Sequence, residues 1–156
     1  MLRGKQNSYA DIIPPMLLTS SFSSLEYLKL DDLNLNDKGE ILYLVRVLES
    51  APSLIELVIK QSHKDVDTTE MFYCSKELEC PSCCLKLQTV DVHFRANSQY
   101  TMSLIQFILA NSPSLKTLTF YCSYNNLDAV MLLKISKDLL WMERASPKAQ
   151  VNFRHV

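Results

Sequence analysis

One phrase recurs along this chain at intervals too regular for chance, and it constrains the fold more than any other feature. Aligned on their first Leu, "SLEYLKL" carries Leu25, Leu28 and Leu30, and "SLIELVI" carries Leu54, Leu57 and Ile59. "KLQTVDV" carries Leu87, Val90 and Val92, and "SLKTLTF" carries Leu115, Leu118 and Phe120. A fifth copy, "KAQVNF", keeps Val151 and Phe153 but has Lys148 in first place. The first positions are separated by 29, 33, 28 and 33 residues. Self-similarity at such a period marks an array of structural units, each too small to bury its apolar face alone.

Within each copy the second and third apolar positions alternate with polar ones, which is the pattern of a strand buried on one face. Helical periodicity fills the gaps. Ile41, Leu44, Val45 and Leu48 fall at i, i+3, i+4 and i+7, with Asn36 or Asp37 as the cap and Glu40 shortly after. Leu104, Ile105, Ile108 and Leu109 repeat the design, and Leu127, Val130, Met131 and Ile135 are expected to form a third such face. Pro52, Pro113 and Pro147 follow the three segments and are expected to stop each helix. The stretch "QSHKDVDTTEMFYCSKELECPSCC" is the least regular unit.

One strand and one helix per unit predict an α/β leucine-rich-repeat solenoid. Its curved parallel sheet would have about five strands, with helices on the convex side. The rival is a doubly wound α/β fold. A doubly wound sheet is covered on both faces and its strands are continuously apolar, whereas these strands keep a polar column. Three segments are expected: a lead-in or partial repeat over 1–21, leucine-rich repeats over 22–84, and C-terminal repeats with a cap over 85–156. Strand 25–30 would be an edge open to pairing if no cap covers it.

The segments "CLKLQTVDVHF", "LIQFILANSPSLKTLTF" and "KISKDLLWMERASPKAQVNF" resemble the FBD domain at the C-terminus of plant F-box/leucine-rich-repeat proteins. "SSLEYLKLDDLNLNDKGEILYLVRVLESAPSLIELVI" resembles the repeat region that precedes it, so the resemblance spans residues 22–154. It implies a target-recognition role in an SCF-type ubiquitin ligase. In that family an F-box docks on the adaptor and the repeats hold the target. No F-box-like segment stands in this sequence, so the resemblance implies target binding and only an indirect link to the ligase. The alternative is a stand-alone interaction or scaffold protein.

The expected concave face consists of the variable positions of the repeated phrase. The first unit supplies Tyr27, Lys29 and Asp31, and the second Glu56, Val58 and Lys60. The third supplies Thr89, Asp91 and His93, the fourth Thr117, Thr119 and Tyr121, and the fifth Gln150, Asn152 and Arg154. Tyr and Arg are favoured at binding surfaces because they combine area with directed polar groups.

Other chemistry finds little footing. A net charge of −1 without a Lys/Arg run argues against nucleic acid as partner. No apolar run is long enough for a membrane span. Only Gly4 and Gly39 are glycines, too few for a phosphate-cradling loop. The three histidines stand far apart, and neither a G-x-S-x-G nor an H-E-x-x-H motif occurs. Asp31 and Asp32 are adjacent, which in a strand sends them to opposite faces. No catalysis and no cofactor are expected.

"CPSCC" offers Cys80, Cys83 and Cys84 for zinc, with Cys74, Cys122 and His93 as recruits, but a second C-x-x-C is missing. Five irregularly spaced cysteines suit a reducing compartment, nucleus or cytosol. Trp141 is expected to pack in the core or cap, with Lys134, Lys137, Arg144 and Lys148 near a helix C-terminus where cations are favoured.

Overall fold

The computed structural model describes residues 3–4, 22–62, 84–94, 99–122 and 129–155. The strands are β1 (Arg3–Gly4), β2 (Tyr27–Leu33), β3 (Glu56–Gln61), β4 (Thr89–Phe94), β5 (Thr117–Cys122) and β6 (Gln150–His155). The helices are α1 (Lys38–Ser50), α2 (Gln99–Asn111) and α3 (Ala129–Trp141). The sheet is parallel throughout, and its order follows the chain from β1 to β6. A doubly wound sheet reverses its strand order at a switch point; none occurs among the described strands.

The repeat alignment and the sheet register coincide. Leu28, Leu57, Val90, Leu118 and Val151 stand in one row, and Leu30, Ile59, Val92, Phe120 and Phe153 in the next. The first four members of each row are buried, and together with the helices they form one apolar core. Burying such side chains is the main favourable contribution to folding. In β6 the cover thins. Val151 is only partly buried and Phe153 is 36% exposed, its ring stacked on Phe120 at 5.2 Å.

Asp37 caps α1 and accepts the Glu40 N–H at 3.1 Å, while the Glu40 carboxylate reaches back to the Asn34 N–H at 2.6 Å. The arrangement is a capping box displaced by three residues. The expected faces of α1 and α2 are buried, with Val47 and Phe107 added to them. Each described helix-to-strand junction uses one turn, in which Leu54 donates to Ala51, Leu115 to Ser112 and Ala149 to Ser146, each an N–H to the carbonyl three residues back, and Leu25 donates to Phe22 in the same way before β2. The irregular unit over 63–83 and Leu127 lie outside the described residues.

Several expectations need correction. Val130 is 75% exposed; Ile135 faces the core as expected, joined by Leu139 in place of Val130. The segment is apolar nearly all round, so periodicity alone leaves two possible inward faces. Trp141, expected to pack in the core or a cap, is 90% exposed. The helix ends at Trp141, well before Pro147, where the Arg144 guanidinium donates to the carbonyls of Leu139 at 3.3 Å and Ala149 at 3.4 Å. Those bonds occupy a carbonyl of the last turn that no helical N–H reaches. The N-terminal edge is also not fully open, because Arg3 and Gly4 pair with Lys29 and Leu30.

Candidate functional site: the open face of the sheet

Alternation along a strand sends every second side chain away from the core. In this sheet those are the variable residues of the repeated phrase, and the register orders them into rows that cross the strands. The first row runs Tyr27, Glu56, Thr89, Thr117, Gln150. The second runs Lys29, Val58, Asp91, Thr119, Asn152. The third runs Lys60, His93, Tyr121, Arg154. Fourteen of the fifteen expected face residues are half-buried or exposed. Thr119 is the exception at 7%, in the middle of the face between Asp91 and Asn152.

Asp31 departs from the third row. The ladder between β2 and β3 is broken after Leu30 and resumes at Leu33 opposite Gln61, one residue out of step. Asp32 occupies the left-handed region at φ 64°, as the extra residue of a bulge can. Strict alternation would have put Asp32 in the core and Leu33 on the open face. The bulge reverses this: Asp32 is exposed and Leu33 is buried. The two carboxylates therefore do not divide between opposite faces as simple alternation requires. Asp31 instead forms an ion pair with Lys29 at 3.6 Å.

In the third row the rings of His93 and Tyr121 stack at 4.3 Å with planes 6° apart. That distance is close to the spacing of neighbouring strands, ~4.8 Å, so the register itself brings the rings face to face. Partial burial lowers the His93 pKa, and Lys60 and Lys29 push it the same way while Asp91 and Asp31 oppose them. The imidazole is thus neutral at pH 7 and offers one donor and one acceptor nitrogen. The sequence placed His93 and Tyr121 at equivalent positions of consecutive units, which was the available sign that they would meet.

Cys122 lies on the buried face, and burial raises its thiol pKa to about 11. His93 is on the other face, so these two do not converge on a metal. Cys74, Cys80 and Cys83 lie outside the described residues. Among the described residues no three metal-ligating side chains cluster, and no helix is long and apolar enough to cross a membrane. A second exposed feature escaped the sequence reading. Leu133 and Leu140, seven residues apart, join Val130 and Trp141 on the outer side of α3.

The chain is similar to an F-box/FBD/LRR-repeat protein of Arabidopsis thaliana. Identity is 30% over 147 residues, which covers 89% of this chain. The chain spans about a third of that relative's length, 33%. No family model matches, and no solved structure matches. The likeness supports kinship with plant F-box-type proteins of the FBD and leucine-rich-repeat kind, and the parallel, sequentially ordered sheet is compatible with such repeats.

Proposed function

We propose that this chain is a non-catalytic protein-recognition module, a leucine-rich-repeat solenoid that holds a target protein on the open face of its sheet. The observation that carries this reading is the face itself. Five successive strands present polar and aromatic side chains in register on the side opposite the core. Such a face combines the aromatic and directed polar groups from which binding hot spots are built. The similarity to a plant F-box/FBD/LRR-repeat protein supports a setting in ubiquitin-ligase substrate selection, and the irregularly spaced cysteines suit the nucleus or cytosol.

The test is capture from plant extract with the tagged chain, quantified against a variant carrying Tyr27→Ala, Glu56→Ala and Tyr121→Ala. The expected result is a reproducible partner that the triple variant loses while its thermal melt stays unchanged. Retention of the partner by a folded triple variant would overturn the assignment of the open face. Adaptor and cullin subunits in the captured material would support the ligase setting. A partner recovered without them would replace it with a stand-alone scaffold.

A further inference from the structure

We propose that the third row of the open face, Lys60–His93–Tyr121–Arg154, takes an acidic segment of the partner, laid extended across the strands with two carboxylates four residues apart. This deepens the reading of the open face as a protein-binding surface and rests on it.

Charge is the first argument. Lys60 and Arg154 make no ion pair among the described residues. Asp31, the nearest acid by position, is engaged by Lys29 at 3.6 Å. Asp91 stands one row away and Glu56 two rows away. The acids nearest the strand ends, Asp31 and Asp32, both belong to β2, outside the row, and β3 to β6 carry no acid beyond it. Across β3 to β6 the face is therefore polarised, with Glu56 and Asp91 nearer the strand starts and the uncommitted Lys60 and Arg154 toward the strand ends. Complementary charge steers a partner and fixes its register.

Spacing is the second argument. Lys60 and Arg154 are three strands apart, roughly 14 Å at ~4.8 Å per strand. An extended peptide rises ~3.3 Å per residue, so residues i and i+4 lie about 13 Å apart and point to the same side. Residue i+2 then falls over the centre of the row. There the stacked rings cover each other's faces and leave their edges outward, with imidazole nitrogens and a phenolic hydroxyl to donate and accept hydrogen bonds.

His93 makes the subsite responsive to pH. It is faced by Lys60 from β3, by Tyr121 from β5, by Lys29 and Asp31 from β2, and shares β4 with Asp91. Proton uptake adds a third cation to the row, so an acidic segment binds more tightly as the pH falls. Peptide carboxylates stay ionised above about pH 5.5.

The probe is a nonapeptide with Glu at its third and seventh positions in a Ser/Thr background, titrated into the 15N-labelled chain and followed by NMR. Shifts are expected at Lys60, His93, Tyr121 and Arg154. Affinity should be about tenfold above that of the peptide with Gln in place of both Glu. A peptide with adjacent Glu residues should bind more weakly than the spaced one. The double variant Lys60→Gln/Arg154→Gln should lose the preference for Glu, and His93→Gln should lose the gain in affinity between pH 7.5 and 5.5. Equal binding of the Glu and Gln peptides, or shifts confined to Lys134 and Lys137 on α3, would overturn the proposal. If the proposal fails while the Tyr27/Glu56/Tyr121 variant still loses its captured partner, the open face stands and only its acidic specificity falls. If neither responds, both fall.

Discussion

Ser112 and Ser146 occupy the same place in successive units, and they separate a useful hydroxyl from a costly one. Ser146 Oγ donates to the Leu115 carbonyl at 2.7 Å, whereas Ser112 Oγ is buried with no hydrogen-bond partner among the described residues. Ala51 fills the equivalent position one unit earlier. Ser146→Ala is expected to cost about 1–2 kcal/mol, and Ser112→Ala to be neutral or to stabilise by up to about 1 kcal/mol, as read by urea denaturation. Trp141 gives a second residue-scale test. As the sole Trp and almost fully exposed, it should emit like an indole in water and be quenched readily by iodide. Trp141→Ala should leave stability within about 0.5 kcal/mol. His93 gives a third. Its folded pKa lies below the ordinary 6.5, so between those two values the unfolded chain binds more protons. Stability therefore falls as pH drops through that window. His93→Gln should flatten this part of the stability profile.

At the scale of elements, β2 and α3 show where the sequence was readable. The regular Leu positions of four units specified strand, register and inward face together, because a slip of one residue would expose all of them. The bulge left only a faint mark: Leu28, Leu30 and Leu33 are separated by two residues and then three, with no glycine to advertise the left-handed position. It can be tested directly. Deleting Asp32 restores simple alternation and throws Leu33 out of the core, at an expected cost of about 2–4 kcal/mol. Asp32→Gly keeps the bulge and should stay within about 1 kcal/mol of the parent. In α3 the pattern failed because Val130, Leu133, Leu140 and Trp141 are as apolar as the residues that do face inward. The open face itself was legible as a list of residues. The meeting of His93 and Tyr121 was signalled by their equivalent positions in consecutive units, but the ring stacking and the Lys29–Asp31 ion pair were not, since both depend on side-chain conformation.

Across the molecule, each described strand pairs only with its neighbours in the order of the described strands. Stability in such an array is a sum of neighbouring contacts, so a deletion at the centre removes more than one at the end. Leu118→Ala, fully enclosed in β5, is expected to cost about 3 kcal/mol or more. Phe153→Ala, at the thinly covered β6, should cost roughly 1–2 kcal/mol. Hydrogen exchange should report the same gradient, with β6 amides exchanging before those of β4.

The connections between successive units differ in length, since the repeated phrase returns after 29, 33, 28 and 33 residues. The rows on the open face do not feel this, because backbone hydrogen bonding alone sets the step from one strand to the next. The sheet thus behaves as a ruler with fixed graduations. A connecting loop can grow or shrink without moving a mark, and a substitution at a variable position changes what is written at a mark without changing where it stands.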